Sequence, residues 1–492
     1  MDSEELLSGV HARLLPAGSI TPEIAGALTY ARRISDDLVF AYALDRPADI
    51  RILTDPDVAH VDPEELGRAA YENLMRVPVT HEEIPHEGTV LHSLHGDSHF
   101  VASKALYLAA AVHRATGASL PHEGALVVMP SRHNLVYHPI ADGTVVDAVN
   151  ALASYGLGAY EDSHGRGALS PRLYWWHRGG LTSLTVIDEE ARRFSVQPPP
   201  ELLALMKGLV GLDRAGRIPG RATAGTPDPA GLTARAAESM TALSPSPAPA
   251  ALEAAFSTVV QLAHARCAAD PRASSGFTWA AWATAVQLGT ALFTGTDQAL
   301  DCHLDEDLVR PLPAGPAAPP ADARAWLDAL YLAVLCRQRD RVRRLCAVPM
   351  ERLREDDSVD PYVLHWADIL RTYFSDDGSM DDVVAKLGAT IEASGPGVTH
   401  APRTFVDAID YQPVALFHRL ITRDHDTFAK TLTEALAEHR SYWGGSAAPR
   451  ARVALGPLAL ASLAHDWGFP LPEDLPFLPV HLLDGQRIEH IP

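Results

Sequence analysis

A change of apolar period part-way along the chain constrains its fold more than any other feature. Up to about residue 210, short alternating runs are mixed with amphipathic helical stretches; beyond about residue 250 only helical spacing remains. A strand needs a two-residue period and a helix 3.6, so one repeating architecture cannot carry both halves. Between them lies a Pro/Ala/Gly-rich stretch, residues 211–250, ending in SPSPAPA. The reading is an α+β N-terminal domain with a mixed sheet over 1–210, a linker over 211–250, and an all-α C-terminal domain of stacked helical hairpins over 251–492.

In the first half, Leu38 to Leu44, Ile50 to Leu53 and Thr89 to Leu94 read as strands. Glu64 to Arg76 reads as a helix with Asp62 as its N-cap and Pro63 at its first position. His99 to Thr116 reads as a helix stopped by Gly117, and Val145 to Tyr160 as another. Ala125 to Met129 and Leu135 to Tyr137 suggest a hairpin with Pro130 at its turn, and Gly179-Gly180 marks a second. In the second half, helices are expected from Leu252 to Ala268 through Val453 to Trp467, with Pro311 to Pro320 as a loop. Two turns look alike: LCRQRDRVRRL (Leu335 to Leu345) and LITRDHDTF (Leu420 to Phe428) each hold Arg-Asp between amphipathic helices. That pattern suggests a helical-hairpin repeat.

The chain has 492 residues, enough for two or three domains. Asp and Glu total 62 against 41 Lys and Arg, a net charge of −21. Such a charge repels nucleic acid and anionic lipid and suits a basic protein partner; it also simply keeps a chain soluble. Four cysteines without a CxxC pair fit a reducing compartment. Met1 to Leu15 lacks the pattern of a secretory signal, and the longest apolar stretch, Trp279 to Phe293, is too short to span a bilayer. A cytoplasmic protein is expected.

No phosphate-binding loop, dinucleotide fingerprint or nucleophile elbow occurs, and HEEIPH (His81 to His86) has the wrong spacing for a zinc-protease helix. No cofactor is implied. The residues with the best metal chemistry are His92, His95, Asp97 and His99. A solvated strand end, with Asp97 or Ser98 capping the next helix, is preferred, and no metal is assigned. The dense basic run Arg337, Arg339, Arg341, Arg343 and Arg344 is either a dock for an acidic group or a solvated face. The segment Phe417 to Trp443 is rich in His and aromatic residues, with Arg423 at its turn. Arginine and aromatic side chains are the usual anchors of protein interfaces. Arg337, Arg339, Arg341, His418, Arg423, His439, Tyr442 and Trp443 are therefore the expected partner-binding set.

The segments WLDALYLAVLCRQRD (Trp326 to Asp340), YVLHWADILRTYF (Tyr362 to Phe374), LAEHRSYWG (Leu436 to Gly444) and LGPLALASLAHDWGFPLP (Leu455 to Pro472) resemble the immunity protein 49 family of bacterial polymorphic toxin systems. The likeness runs from about Ala325 to Leu483, and the family region is expected to begin near Leu252. It implies an all-α protein that binds and neutralises a cognate toxin, with no catalytic residues. DDLVFAYALD, ENLMR, VVMPSRHNLVY and LSPRLYWWHRGG in the first half resemble the bacterial domain of unknown function 1444, which implies no activity.

The expectation is an immunity protein that is not an enzyme and grips a basic toxin; oligomeric state stays open. Two alternatives stand beside it. One is a metal-binding protein or hydrolase using the His92–His99 run, with Arg132 and Arg172 as anion binders. The other is a helical-repeat scaffold unrelated to toxins.

Overall fold

The computed structural model describes residues 3–46, 49–86, 89–163, 167–188, 193–214, 216–218, 228–243, 247–305 and 307–486. The chain packs as two units, Met1–Met206 and Lys207–Pro492.

In the first unit, strand β1 (Val10–Pro16) pairs antiparallel with β2 (Leu38–Asp45), from Val10↔Leu44 to Pro16↔Leu38. VHARLLP was not among the expected strands, although four of its seven residues are buried. Helix α1 (Pro63–Arg76) starts as expected: the Asp62 carboxylate accepts from the backbone N–H groups of Glu64 at 3.0 Å and Glu65 at 3.1 Å.

A six-stranded sheet follows. Its strands are β3 (Thr80–His86), β4 (Thr89–His95), β5 (Ala125–Ser131), β6 (Asn134–Pro139), β7 (Leu173–His177) and β8 (Gly180–Ser183), in the order β8-β7-β5-β6-β4-β3. The expected mixed sheet is not what forms: every neighbouring pair is antiparallel. Connectivity supplies the reason. Helix α2 (Leu108–Thr116) joins β4 to β5 across β6, and helix α3 (Val145–Asp162) joins β6 to β7 across β5. Strands that run parallel are thus always separated by one that does not. The β5/β6 turn also differs from expectation. Ser131 pairs with Asn134, so Arg132 and His133 make the turn, and Pro130 lies within β5 where the register slips. Proline has no N–H for a ladder, so it belongs at such an irregularity. All seven residues of β5 are buried, as befits a strand covered on both faces.

The second unit is helical. Its helices are α4 (Pro229–Thr241), α5 (Pro249–Arg266), α6 (Gly276–Thr294), α7 (Ala323–Leu335), α8 (Arg339–Cys346), α9 (Pro361–Phe374), α10 (Met380–Ala393), α11 (Tyr411–Ile421), α12 (His425–Trp443), α13 (Leu455–Asp466) and the short α14 (Val480–Asp484). All residues of α7 are buried, and it packs against α6, α8, α9 and α13. A fully buried Leu or Trp contributes ~1.5–3 kcal/mol, so this helix holds the unit together. Gly289 allows the approach: a Cβ there would lie 2.7 Å from Phe256 and 2.9 Å from Ala329.

Consecutive helices do pair as hairpins: α5 with α6, α7 with α8, α9 with α10 and α11 with α12. They do not form a row. Helix α13 packs on α7, and the turn Pro449–Arg452 packs on α5. A solenoid touches only neighbours in sequence; this unit closes around a centre.

Two sequence expectations need correction here. The stretch 211–250, read as a linker, holds α4, whose Leu232, Ala236 and Met240 are buried. Proline stands only at its first position, where no N–H is needed, and the Asp228 carboxylate caps Gly231 at 3.1 Å. Residues 219–227 and 244–246 of that stretch lie outside the described residues. The helical half also contains a hairpin, β9 (Leu300–Asp305) with β10 (Leu308–Leu312). Leu300, Cys302 and Leu304 alternate with polar residues along β9, a two-residue period that the sequence reading passed over. Among the described residues, no helix is long and apolar enough to cross a membrane.

Candidate functional site

The histidine run of the first unit is dispersed by the sheet. His92 lies on β4, where its Nδ1 is 3.2 Å from His81 Nε2 and its ring stacks on Tyr137. Burial first, and His81 and His138 in addition, lower its pKa, while Glu83 raises it. His95 Nδ1 contacts the Ser93 hydroxyl, Asp97 is exposed, and His99 packs edge-on to His133. Among the described residues, no three His, Cys, Asp or Glu side chains converge on a point where a cation would sit. Arg132 contacts His133 Nε2 at 3.2 Å, and Arg172 donates to the Thr185 carbonyl at 3.0 Å. Arg172 also stands 3.7 Å from Asp37.

In the second unit, the two similar turns are structurally equivalent, with the equivalence two residues from where the Arg-Asp pairs would put it. Arg337 and Arg423, not Arg339 and Arg423, hold the same place. Each follows a helix end and adopts left-handed backbone, at φ 55° and 54°. The bonds match: Gln338 N–H to Ala333 carbonyl at 2.9 Å, Asp424 N–H to Arg419 carbonyl at 3.1 Å. Such a turn usually takes Gly.

The side chains go different ways. Arg337 forks onto Asp466 at 3.1 and 2.9 Å and donates to the Leu483 carbonyl at 2.7 Å. Arg423 is exposed and lies 5.6 Å over the Trp467 ring. Arg339 is exposed. Arg341 is half-buried on a cleft of about 380 Å³ with Arg344, which donates to the Gly295 carbonyl at 2.9 Å. Burial, then the charge of Arg344, lowers the Arg341 pKa. His418 is half-buried, and Tyr442 lies edge-on to Phe405.

His439 and Trp443 are buried and line a pocket of about 100 Å³ beside a charged cluster. Helix α7 carries two charges, Arg324 and Asp328, four residues apart on one face. Asp328 accepts from Arg217 at 2.9 Å and from Arg450 at 2.6 Å. Arg324 reaches Asp410 at 2.6 Å and the Tyr362 hydroxyl at 3.0 Å; Tyr362 donates to Asp410. Asp410 closes a π-helical turn, Val406–Asp410, an irregularity that turns its carboxylate to Arg324.

Burial would raise the Asp328 pKa, but Arg450 and Arg217 hold it at about 2. Burial would lower Arg324, and Asp410 with Tyr362 raises it instead. Burial pushes His264 down to about 3 and His439 to about 4. His264 Nδ1 bonds the Val260 carbonyl at 2.8 Å, which puts its proton there and leaves Nε2 as an acceptor. That Nε2 and the Trp443 Nε1 have no hydrogen-bond partner. The chemistry of this cluster is mutual neutralisation: both carboxylates accept from guanidinium groups and lock α7 to distant segments. The sequence reading missed it, although Arg324 and Asp328, the two charges of an otherwise apolar helix, signal buried partners.

Residues 269–482 match the immunity protein 49 family. The matched region starts between the expected Leu252 and the Ala325 where the shared segments begin. It contains α6 through α13, the centre of the second unit. Within it lie Arg324, Asp328 and Asp410; Arg217 and His264 lie before it. The match does not reach the first unit, so the resemblance to the domain of unknown function 1444 rests on its sequence segments alone. No curated protein and no solved structure matches the chain.

Proposed function

We propose that the chain is an immunity protein of a polymorphic toxin system, which neutralises a cognate toxin by protein–protein contact through its helical unit. The immunity protein 49 match carries this reading. The net charge of −21 supports a basic toxin, met in the cytoplasm and drawn in by electrostatic steering. Of the expected partner-binding residues, Arg339 and Arg423 are exposed and free to meet another chain. Arg337 is engaged internally, and His439 and Trp443 face the pocket. Those three would support the binding surface rather than touch the toxin.

The test is co-expression with the product of the adjacent open reading frame. Restored growth and co-elution on gel filtration are expected if that product is the toxin. No rescue and no complex would defeat the reading. A complex with a neighbour lacking any toxic effect would point to the scaffold alternative.

A further inference from the structure

Among the described residues, nine large apolar side chains are exposed, and three of them share one face of α10. Met380 is 47 % exposed, Val384 57 % and Ile391 44 %. At about 100° per residue these three fall within about 40° of one another on the helix. The stripe that packs inward, Val383, Leu387 and Thr390, is centred about 70° away. The apolar face of α10 is thus wider than the part that α9 and α11 cover. A helix made only to close this fold would carry polar residues there.

The charge around the stripe is one-sided. Residues 376–392 hold Asp376, Asp377, Asp381, Asp382 and Glu392 against the single Lys386. That lysine is spent internally, 2.9 Å from Asp368 and 2.8 Å from the Thr372 hydroxyl. Arg343 approaches Asp376 only to 3.9 Å. Asp381 and Glu392 sit at about 100° and 120° on the wheel that puts Met380 at zero, along the solvent side of the stripe. A separate aromatic group ends α9: Phe374 packs edge-on to Tyr373, whose ring is 6.5 Å from Trp467, itself 43 % exposed.

We infer that the outer face of α10 docks a cationic amphipathic segment of a protein partner. Apolar residues of that segment cover Met380, Val384 and Ile391, and its lysines or arginines meet Asp381 and Glu392. An apolar centre with a charged rim is how a specific interface is built. A second copy of this chain is disfavoured, because it would bring the same carboxylates face to face. The inference rests on the immunity reading and names the surface that reading leaves unspecified.

The test uses the full chain and a fluorescent 18-residue peptide with leucine on one helical face and lysine on the other. A second peptide has glutamate in place of lysine. Anisotropy is read for the unaltered chain, for Val384→Ser with Ile391→Ser, and for Asp381→Asn with Glu392→Gln. The lysine peptide should bind the unaltered chain, and each pair of changes should weaken it ~tenfold with the unfolding midpoint unchanged. The glutamate peptide should not bind. Equal binding to all three chains would mean diffuse attraction to the net charge and would overturn the proposal. So would absence of lysine-peptide binding, equal binding of both peptides, or a dimer that Val384→Ser dissolves.

Co-expression separates the two readings. Rescue by the unaltered chain that survives both pairs of changes defeats this surface and leaves the immunity reading standing. No rescue by the unaltered chain defeats the immunity reading, and the peptide titration alone then decides the surface.

Discussion

Arg337 and Arg423 sit in turns with the same hydrogen bonds and nearly the same φ, yet their side chains end in different surroundings. The first ties the ends of α7, α13 and α14 together through Asp466 and the carbonyls of Leu335, Leu482 and Leu483. The second lies over an exposed tryptophan, outside the packing. Local sequence chose the turn in both cases. What each guanidinium does was decided by whatever the fold brought within reach. Arg217, Arg324 and Arg450 extend the series inward, where each guanidinium is buried or nearly so and pairs with a carboxylate, Asp328 or Asp410. The arginines of this unit therefore range from wholly consumed to wholly presented, and that ordering can be measured.

The innermost end should give the largest effect. Asp328→Ala leaves Arg217 and Arg450 buried without their shared carboxylate, a loss of about 3–5 kcal/mol in urea unfolding. A loss below about 1 kcal/mol would show that the cluster is not the lock described here.

Acid should find the same interior next. His264 and His439 are neutral when folded, with pKa values near 3 and 4, whereas once unfolded they take up protons near 6.5. As pH falls below 6.5 the unfolded chain binds more protons than the folded one, so stability drops. The slope is about 1.4 kcal/mol per pH unit for each histidine until its folded pKa is reached. His400 works in the opposite sense: its bond to Asp360 raises its pKa, so its contribution is full below 6.5 and lost as pH rises through the folded value. Replacing His264 and His439 by Gln should flatten the acid limb of a stability profile. An unchanged limb would remove these two residues as its cause.

The sequence carried the helical half well where apolar spacing was long and regular. Trp279 to Phe293 was expected as a helix and lies within α6, and Trp326 to Cys336 matches α7 up to its C-cap, Cys336. Shorter elements were passed over even where the pattern is present: Val10 to Leu14 alternates in β1 and Leu300 to Asp305 in β9, while α4 is hidden by the prolines that flank it. The antiparallel sheet was not legible because strand order depends on which strands the crossing helices pass over, not on composition. Where the expected partner-binding residues would sit was not legible. Residue type marks arginine and aromatic side chains as contact-makers, but whether the contact lies inside or outside depends on register. His439 and Trp443 lie four apart on α12, the spacing of one helix face, and that face turns inward. The exposed stripe on α10 escaped notice for the opposite reason: in sequence it merges with the packed stripe into one apolar face.

The turn arginines close the ordering with its two smallest effects. Arg337→Gly relieves the left-handed backbone but removes the fork on Asp466, a partly exposed pair, and the bonds to the α14 carbonyls. A net loss of about 1–2 kcal/mol is expected, with faster hydrogen exchange in α14. Arg423→Gly gains the same backbone relief, about 1–2 kcal/mol, offset by about 0.5–1 kcal/mol of glycine chain entropy and by the loss of one exposed contact with Trp467 of about 0.5–1 kcal/mol. Its stability should stay within about 0.5 kcal/mol of the unaltered chain. Affinity for a partner docked near Trp467 should still fall, because a guanidinium stacked on an exposed indole is a ready anchor for another chain. If Arg423→Gly instead destabilised the fold as much as Arg337→Gly, the two turns would serve the same structural end. The distinction between consumed and presented arginines would then fail at the position where it matters most for binding.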